Sequence, residues 1–357
     1  MIRVHQCPSV VQLRFLIGLL LITATLCSAE TSLHWRRLPP LPDPLGFAGT
    51  FAGTSGGALI VAGGANFPGK MLWEGGRKVW YDTAFVLDRT NGAWRGGFKL
   101  PHPLAYGVSV TTPRGVVCIG GSDATQHVRD VFLLVWQMGE LKCRRLPPLP
   151  GPLANSCGAV VGRTVYLAGG TATPDATNAM NNFWALDVGG RGAKWRELPS
   201  WPGPARMLAV AASVGGSFYL AGGADLAPDT NGKPVRTYLK DAFRFTPPAG
   251  WQRVADMPNP VVAAPTPAPV ADGAFLVIGG DDGSLVNFQP SKHPGFPKRV
   301  LSYDTRQNRW SVVGETHASR ATLSTAMWDG LCVLPSGEIK PGVRSPEVWA
   351  FTLTETR

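Results

Sequence analysis

A chain of 357 residues is long enough for one large repeat domain or two ordinary ones. Its 43 glycines and 32 prolines, with charged residues at only 16%, fit many short strands joined by turns and exclude a long-helix architecture. The net charge of +10 comes from scattered Lys and Arg with no run of five or six like charges and no basic stripe interleaved with aromatics; this argues against nucleic acid and leaves an acidic small molecule compatible with the surface.

Residues 1–29 read as a signal peptide. Arg3 and Arg14 give a positive start, Phe15 to Leu26 is a charge-free apolar run, and Cys27-Ser28-Ala29 is a small-residue cleavage site before Glu30. The run falls short of the roughly 20 apolar residues a membrane span needs, and bulky Leu26 disfavours lipid attachment at Cys27. The expectation is a secreted or periplasmic protein with no membrane attachment after cleavage; a homodimer is compatible with the sequence. Cys118, Cys143, Cys157 and Cys332 remain, none at metal-ligand spacing, and Cys118 and Cys157 sit in apolar strand patterns as buried thiols would.

The next segments repeat. An apolar strand ending in Gly-Gly occurs at Ala58–Gly64, Gly115–Gly121, Thr164–Gly170, Ser217–Gly223 and Ala274–Gly280. One further step reaches Leu331-Cys332-Val333-Leu334-Pro335-Ser336-Gly337, where Ser336 replaces the first glycine. Each unit has a small-and-apolar strand before the Gly-Gly strand. After it come a variable loop, an aromatic strand such as Asn182–Asp187, and a late tryptophan strand at Trp94, Trp195, Trp251 or Trp310. Four short strands, a glycine pair and a late tryptophan make a propeller blade, so residues 30–357 read as one all-β domain: a six-bladed kelch-type β-propeller. The sixth unit ends at its third strand, Val348 to Leu353, and its missing tryptophan strand stands at the other end of the chain, around Trp35. The N-terminal strand is therefore expected to complete the last blade, which removes an open sheet edge.

Alternation of strand direction puts the loop entering the first strand and the loop after Gly-Gly on one face, where a rigid scaffold usually carries its site. That face receives Arg206, Arg320, Asn155 and Tyr106 at strand entrances, Asn66 after Gly63-Gly64, and the loop Glu338-Ile339-Lys340-Pro341-Gly342-Val343-Arg344. A carboxylate held ionised by cations can take a proton from a hydroxyl, and the cations can hold an anion, Arg344 in bidentate fashion. The competing reading of the Glu338 loop is a structural ion pair. Asp281-Asp282 reads as a polar turn. The histidines form no paired motif, so no metal is expected, and no nucleophile elbow or phosphate loop is present.

With these residues assembled, the chain resembles the N-acetylneuraminate epimerase (sialic acid mutarotase) family of kelch proteins, in its cyclically permuted branch. The resemblance rests on Gly46-Phe47-Ala48-Gly49, Ile60 to Phe67, Ala105-Tyr106-Gly107-Val108-Ser109 and, most specifically, Gly337-Glu338-x-Lys340-Pro341-Gly342-x-Arg344. It implies cofactor-independent interconversion of the α and β anomers of a sialic acid such as N-acetylneuraminate. Glu338 would be the proton acceptor with Arg344 beside it, and Arg344 and Arg206, which matches a family arginine, would hold the substrate carboxylate. Lys340 or water would supply the acid, with Tyr106 and Asn66 among the substrate contacts. The chain departs from the family at Leu104, where relatives carry Arg, so one cationic contact is expected to be missing. The alternative is a non-catalytic secreted kelch propeller that binds a glycan or a protein, since fold does not fix function.

Overall fold

A computed structural model describes residues 31–190 and 192–355; the proposed signal peptide lies outside the described residues. Six four-stranded antiparallel sheets follow one another around a central axis. Their inner strands are Phe51–Ser55, Val108–Thr112, Cys157–Val161, Val210–Val214, Val270–Ala271 and Ala326–Trp328. We number the blades 1 to 6 in that order. Blade 6 is completed by the N-terminal strand Thr31–Leu38, which pairs with Val348–Glu355 from Thr31↔Glu355 to Leu38↔Val348. The expected closure is present: Trp35 packs on Phe351 with ring centroids 4.6 Å apart.

The core is divided into six apolar clusters, one between each pair of neighbouring blades. Strand periodicity explains the division. In Ala58–Ala62, Leu59 and Val61 face blade 6 while Ala58, Ile60 and Ala62 face blade 2. Both faces are buried, so the strand reads as an unbroken apolar run rather than an alternating one. The late tryptophans tie blades to the proline-rich connections. Trp94, Trp195, Trp251 and Trp310 donate through Nε1 to the carbonyls of Pro39, Pro147, Pro199 and Ala255 at 2.8–3.0 Å. Cys118, Cys157 and Cys332 are buried free thiols and Cys143 is an exposed one; burial pushes the Cys157 thiol up to about 12.

Two backbone rings run around the axis. In the first, the second glycine of each blade donates to a carbonyl of the next: Gly64 to Leu104, Gly121 to Leu153, Gly170 to Arg206, Gly223 to Val261, Gly280 to Arg320, and Gly337 back to Phe47, all at 2.8–3.2 Å. The glycine pair is needed because the neighbouring blade crosses here; a Cβ on Gly169 would fall on the Arg206 carbonyl oxygen. Ser336 fills the first glycine position of blade 6 at φ 67°, and its hydroxyl accepts from the Phe47 N–H at 2.7 Å and reaches the Ser345 carbonyl at 2.8 Å.

The second ring lies at the channel neck. Tyr106 donates to Gly49, Asn155 to Tyr106, Leu208 to Asn155, Ala263 to Leu208, Thr322 to Ala263, and Gly49 to Thr322, each N–H···O=C at 2.7–2.9 Å. All six residues have φ between 55° and 69°. Five carry side chains in the left-handed region, a strain that persists where surrounding structure over-determines it. The closed ring of hydrogen bonds supplies that constraint and a rigid floor for the mouth above.

Candidate active site

A cavity of about 500 Å³ opens above the neck ring. Its floor is made by Tyr106, Asn155, Leu208, Ala263 and Thr322, and its walls include Ser122, Asp281 and Glu338, which each follow the glycine position of their blade. In every blade this residue bridges to the one before the neck residue, as Val262↔Asp281 and Ala321↔Glu338. Six equivalent positions therefore face one axis, occupied by Ala65, Ser122, Thr171, Ala224, Asp281 and Glu338.

Glu338 begins the short strand Glu338–Lys340, and Pro341-Gly342 returns the chain through Val343–Arg344, so that Glu338 and Arg344 are paired in register. Gly342 makes this turn at φ 81°. The Glu338 carboxylate meets Arg344 Nη2 at 2.8 Å, with side-chain exposures of 17% for Glu338 and 3% for Arg344. The numbers order the roles: the carboxylate reaches the cavity and the guanidinium stands behind it. Arg344 Nε donates to the Ala65 carbonyl at 3.3 Å, its guanidinium lies 4.8 Å from the Phe67 ring centroid, and Nη1 is buried with no hydrogen-bond partner among the described residues. Burial pushes the Glu338 carboxyl above the ordinary glutamate range, while Arg344 first, then Lys78 and Arg236, pull it back. A carboxylate with these neighbours is a stronger base than an exposed one.

Two cavity cations were not singled out from the sequence. Lys78 sits in the loop after Gly63-Gly64, with Nζ 5.0 Å from the Tyr106 ring centroid and 5.4 Å from that of Trp80. Arg236 stands on the hairpin formed by Ala224–Pro228 and Pro234–Tyr238. Both line the cavity. Their loops belong to the face the repeat pattern selects, but the sequence does not say which side chain of a long loop turns inward. Asp281, expected as a polar turn, also lines the cavity; it accepts from the Tyr238 hydroxyl at 2.8 Å and from the Gly283 N–H at 3.0 Å. His127 lines it too, with Nε2 3.0 Å from Thr171 Oγ1, and burial pushes its imidazole down to about 4, so it is neutral at neutral pH.

Of the residues expected in the pocket, Glu338, Arg344 and Tyr106 come together and Asn155 lies in the floor. Arg206 does not join them. It is 0% exposed, bonded to both carboxylate oxygens of Asp241 at 2.9–3.0 Å and to the Gly222 carbonyl at 2.9 Å. Arg320 is held likewise by Glu347 at 2.8 Å. The physical reason is their place in the repeat. They occupy the inter-blade position that Phe47, Leu104, Leu153 and Val261 fill elsewhere, one ring outside the neck. Leu104 is thus a buried apolar residue at the packing position where Arg206 and Arg320 are held by carboxylates. Asn66 is 1% exposed, donating to the Gly46 carbonyl and accepting from Tyr81. Lys340 donates to the Ser291 carbonyl at 3.1 Å, tying the blade 6 loop to blade 5, and is not a lining residue.

Comparison with known proteins accords with this arrangement. The chain matches the N-acetylneuraminate epimerase family profile over residues 21–143 and 146–289. Among curated relatives, the N-acetylneuraminate epimerase of Salmonella arizonae is 27% identical over 57% of this chain, and that of Yersinia pestis is 27% identical over 61% of it. A Brucella suis protein of the same name is 38% identical over 30% of the chain. The match spans only 57–60% of the length of the first two relatives. The solved structure of YjhT superposes with a TM-score of 0.64 at 16% identity, covering 90% of this chain and 99% of that one, which shows the common fold. By the extent of the family match, the chain belongs to the N-acetylneuraminate epimerase family.

Proposed function

We propose that this protein interconverts the α and β anomers of a sialic acid such as N-acetylneuraminate by general acid–base catalysis. The observation that carries the reading is Glu338: a carboxylate at the cavity wall, ion-paired at 2.8 Å to a buried arginine and under the influence of Lys78 and Arg236. Glu338 takes the proton of the anomeric hydroxyl, the bond from the anomeric carbon to the ring oxygen breaks as the carbonyl forms, and the ring oxygen takes a proton from an acid beside it or from water. Rotation and reclosure on the other face give the second anomer, with no net change in atoms or electrons. Lys78 and Arg236 hold the substrate carboxylate, and Arg344 keeps Glu338 aimed and ionised. Acid–base assistance typically contributes 10²–10⁴-fold, enough to matter for a reaction that already proceeds slowly unaided.

The test is the equilibration of a freshly released α-anomer, followed by NMR. Wild-type protein should accelerate it, and Glu338→Gln, which keeps the shape but cannot take a proton at neutral pH, should lose most of the acceleration with a nearly unchanged thermal midpoint. Equal rates for the two proteins would remove Glu338 as the base. No acceleration by wild type across several sugar acids would favour the glycan- or protein-binding reading. The leader pattern at residues 1–29 supports export to the periplasm or medium with cleavage before Glu30; the N-terminal residue of protein recovered from an expressing cell checks this.

A further inference from the structure

Tyr106 is held at both ends of its backbone by the neck ring, its N–H on the Gly49 carbonyl and its carbonyl accepting from Asn155, each at 2.9 Å. Its side chain leans across blade 1. A Cβ on Gly49 would lie 2.6 Å from Tyr106 Cδ1, so the glycine makes room for the ring. Lys78 Nζ covers that ring at 5.0 Å, and the hydroxyl oxygen is 3.5 Å from Arg344 Nη2. The same Nη2 is 2.8 Å from Glu338 Oε1. A phenol oxygen and a carboxylate oxygen are thus gathered on one guanidinium nitrogen, and Tyr106 and Glu338 both line the cavity. A guanidinium only donates, so Tyr106 accepts from Arg344, and its own proton meets no protein acceptor among the described residues.

Anomerisation acts on two oxygens attached to one carbon, the anomeric hydroxyl and the ring oxygen. Its acid and base must therefore stand side by side. We propose that Tyr106 is the general acid partner of Glu338; this rests on the anomerisation reading above. Glu338 accepts the anomeric proton, and the carbon–ring-oxygen pair of electrons goes to the ring oxygen, which takes the Tyr106 proton. The phenolate so formed faces Arg344 and Lys78, two cations already in place to stabilise it. On reclosure the phenolate retakes the proton from the attacking hydroxyl, and Glu338 returns its own to the carbonyl oxygen.

The experiment is NMR equilibration of α-N-acetylneuraminate by wild type and Tyr106→Phe across substrate concentration. The phenylalanine ring keeps the packing and the backbone ring. The expected result is a kcat lower by about 10²–10⁴-fold at nearly unchanged KM. A wild-type kcat in the variant, or a raised KM alone, overturns the acid role and leaves the anomerisation reading standing. A wild type that accelerates nothing overturns that reading and this inference with it. Should Tyr106→Phe fail to fold, a fluorinated tyrosine at position 106 serves instead. Its phenol ionises at lower pH, while the ionisable groups around it, Glu338, Arg344 and Lys78, stay the same. The alkaline limb of kcat should then move to lower pH, and an unmoved limb overturns the proposal.

Discussion

Two opposing effects act on Glu338, the proposed base, and burial is the larger. Burial raises its carboxyl pKa, and three cations lower it, Arg344 most. Arg344→Ala removes the largest of the lowering effects, so the pKa should rise further. The acid limb of kcat/KM, which reports the free enzyme's base, should move to higher pH, with Lys78 and Arg236 limiting the shift. A pH–rate profile checks this, and a limb that stays put assigns the base elsewhere. The sign also bears on stability. A carboxyl whose folded pKa is raised contributes stability below its unfolded pKa, and that contribution is lost as pH rises through the folded value. At neutral pH the ionised Glu338 therefore costs stability relative to its protonated form, and Glu338→Gln is expected to keep the thermal midpoint because it removes that cost while its amide oxygen can still accept from Arg344. Arg206 is the opposite case, a cation used for folding. Asp241→Ala should leave it buried and unpaired and destabilise by about 3–5 kcal/mol, whereas Arg206→Leu combined with Asp241→Ala should recover most of the loss, because Leu104 and Leu153 already fill that position. Urea unfolding of the single and double variants measures it, and the double variant should keep the wild-type KM.

The Ser336-Gly337 turn shows how an element tolerates a broken repeat. Five blades place glycine where Ser336 stands, since a left-handed backbone and a crossing neighbour leave little room for a side chain. Blade 6 accepts serine because its hydroxyl takes up the Phe47 N–H and reaches the Ser345 carbonyl, joining the Glu338 loop to blade 1 at the closure. Ser336→Ala should keep the strain and leave the buried Phe47 N–H unpaired, at about 1–3 kcal/mol. Ser336→Gly relieves the strain and loses the same bonds, so it should be the milder of the two. Denaturant midpoints of the two variants test the order, and an alanine variant as stable as wild type would remove the hydroxyl from the closure. The same element carries Arg344 to Glu338, so the alanine variant should also reduce the equilibration rate.

The whole ring depends on the N-terminal strand. Thr31–Leu38 supplies the outer strand of blade 6, and Trp35 and Leu33 pack against the cluster between blades 5 and 6. Deleting residues 31–38 should leave Val348–Glu355 as an edge strand paired only with Leu331–Pro335, lower the thermal midpoint sharply, and promote association through the exposed edge. Differential scanning calorimetry with light scattering reads both effects. The candidate site lies at the other end of the radial direction, on the neck ring, so ligand binding should weaken only as far as the ring opens.

Repeat count, blade composition and closure were legible in the sequence because each is a local statement. A strand ending in Gly-Gly recurs, a tryptophan follows late in the unit, and one unit lacks its last strand while the chain begins with one. The Glu338–Arg344 pairing was legible for the same reason, since Pro341-Gly342 turns the chain within a few residues. What needed the tertiary structure was direction. Arg206 and Tyr106 both precede inner strands, yet Arg206 stands two residues before its neck residue and packs between blades, while Tyr106 is itself a neck residue and faces the mouth. Lys78 and Arg236 lie on long loops whose inward side chains depend on packing against other blades. A side chain's facing in a propeller is set by its offset from a ring of hydrogen bonds between blades, and those bonds join residues about fifty positions apart, beyond the reach of any local pattern.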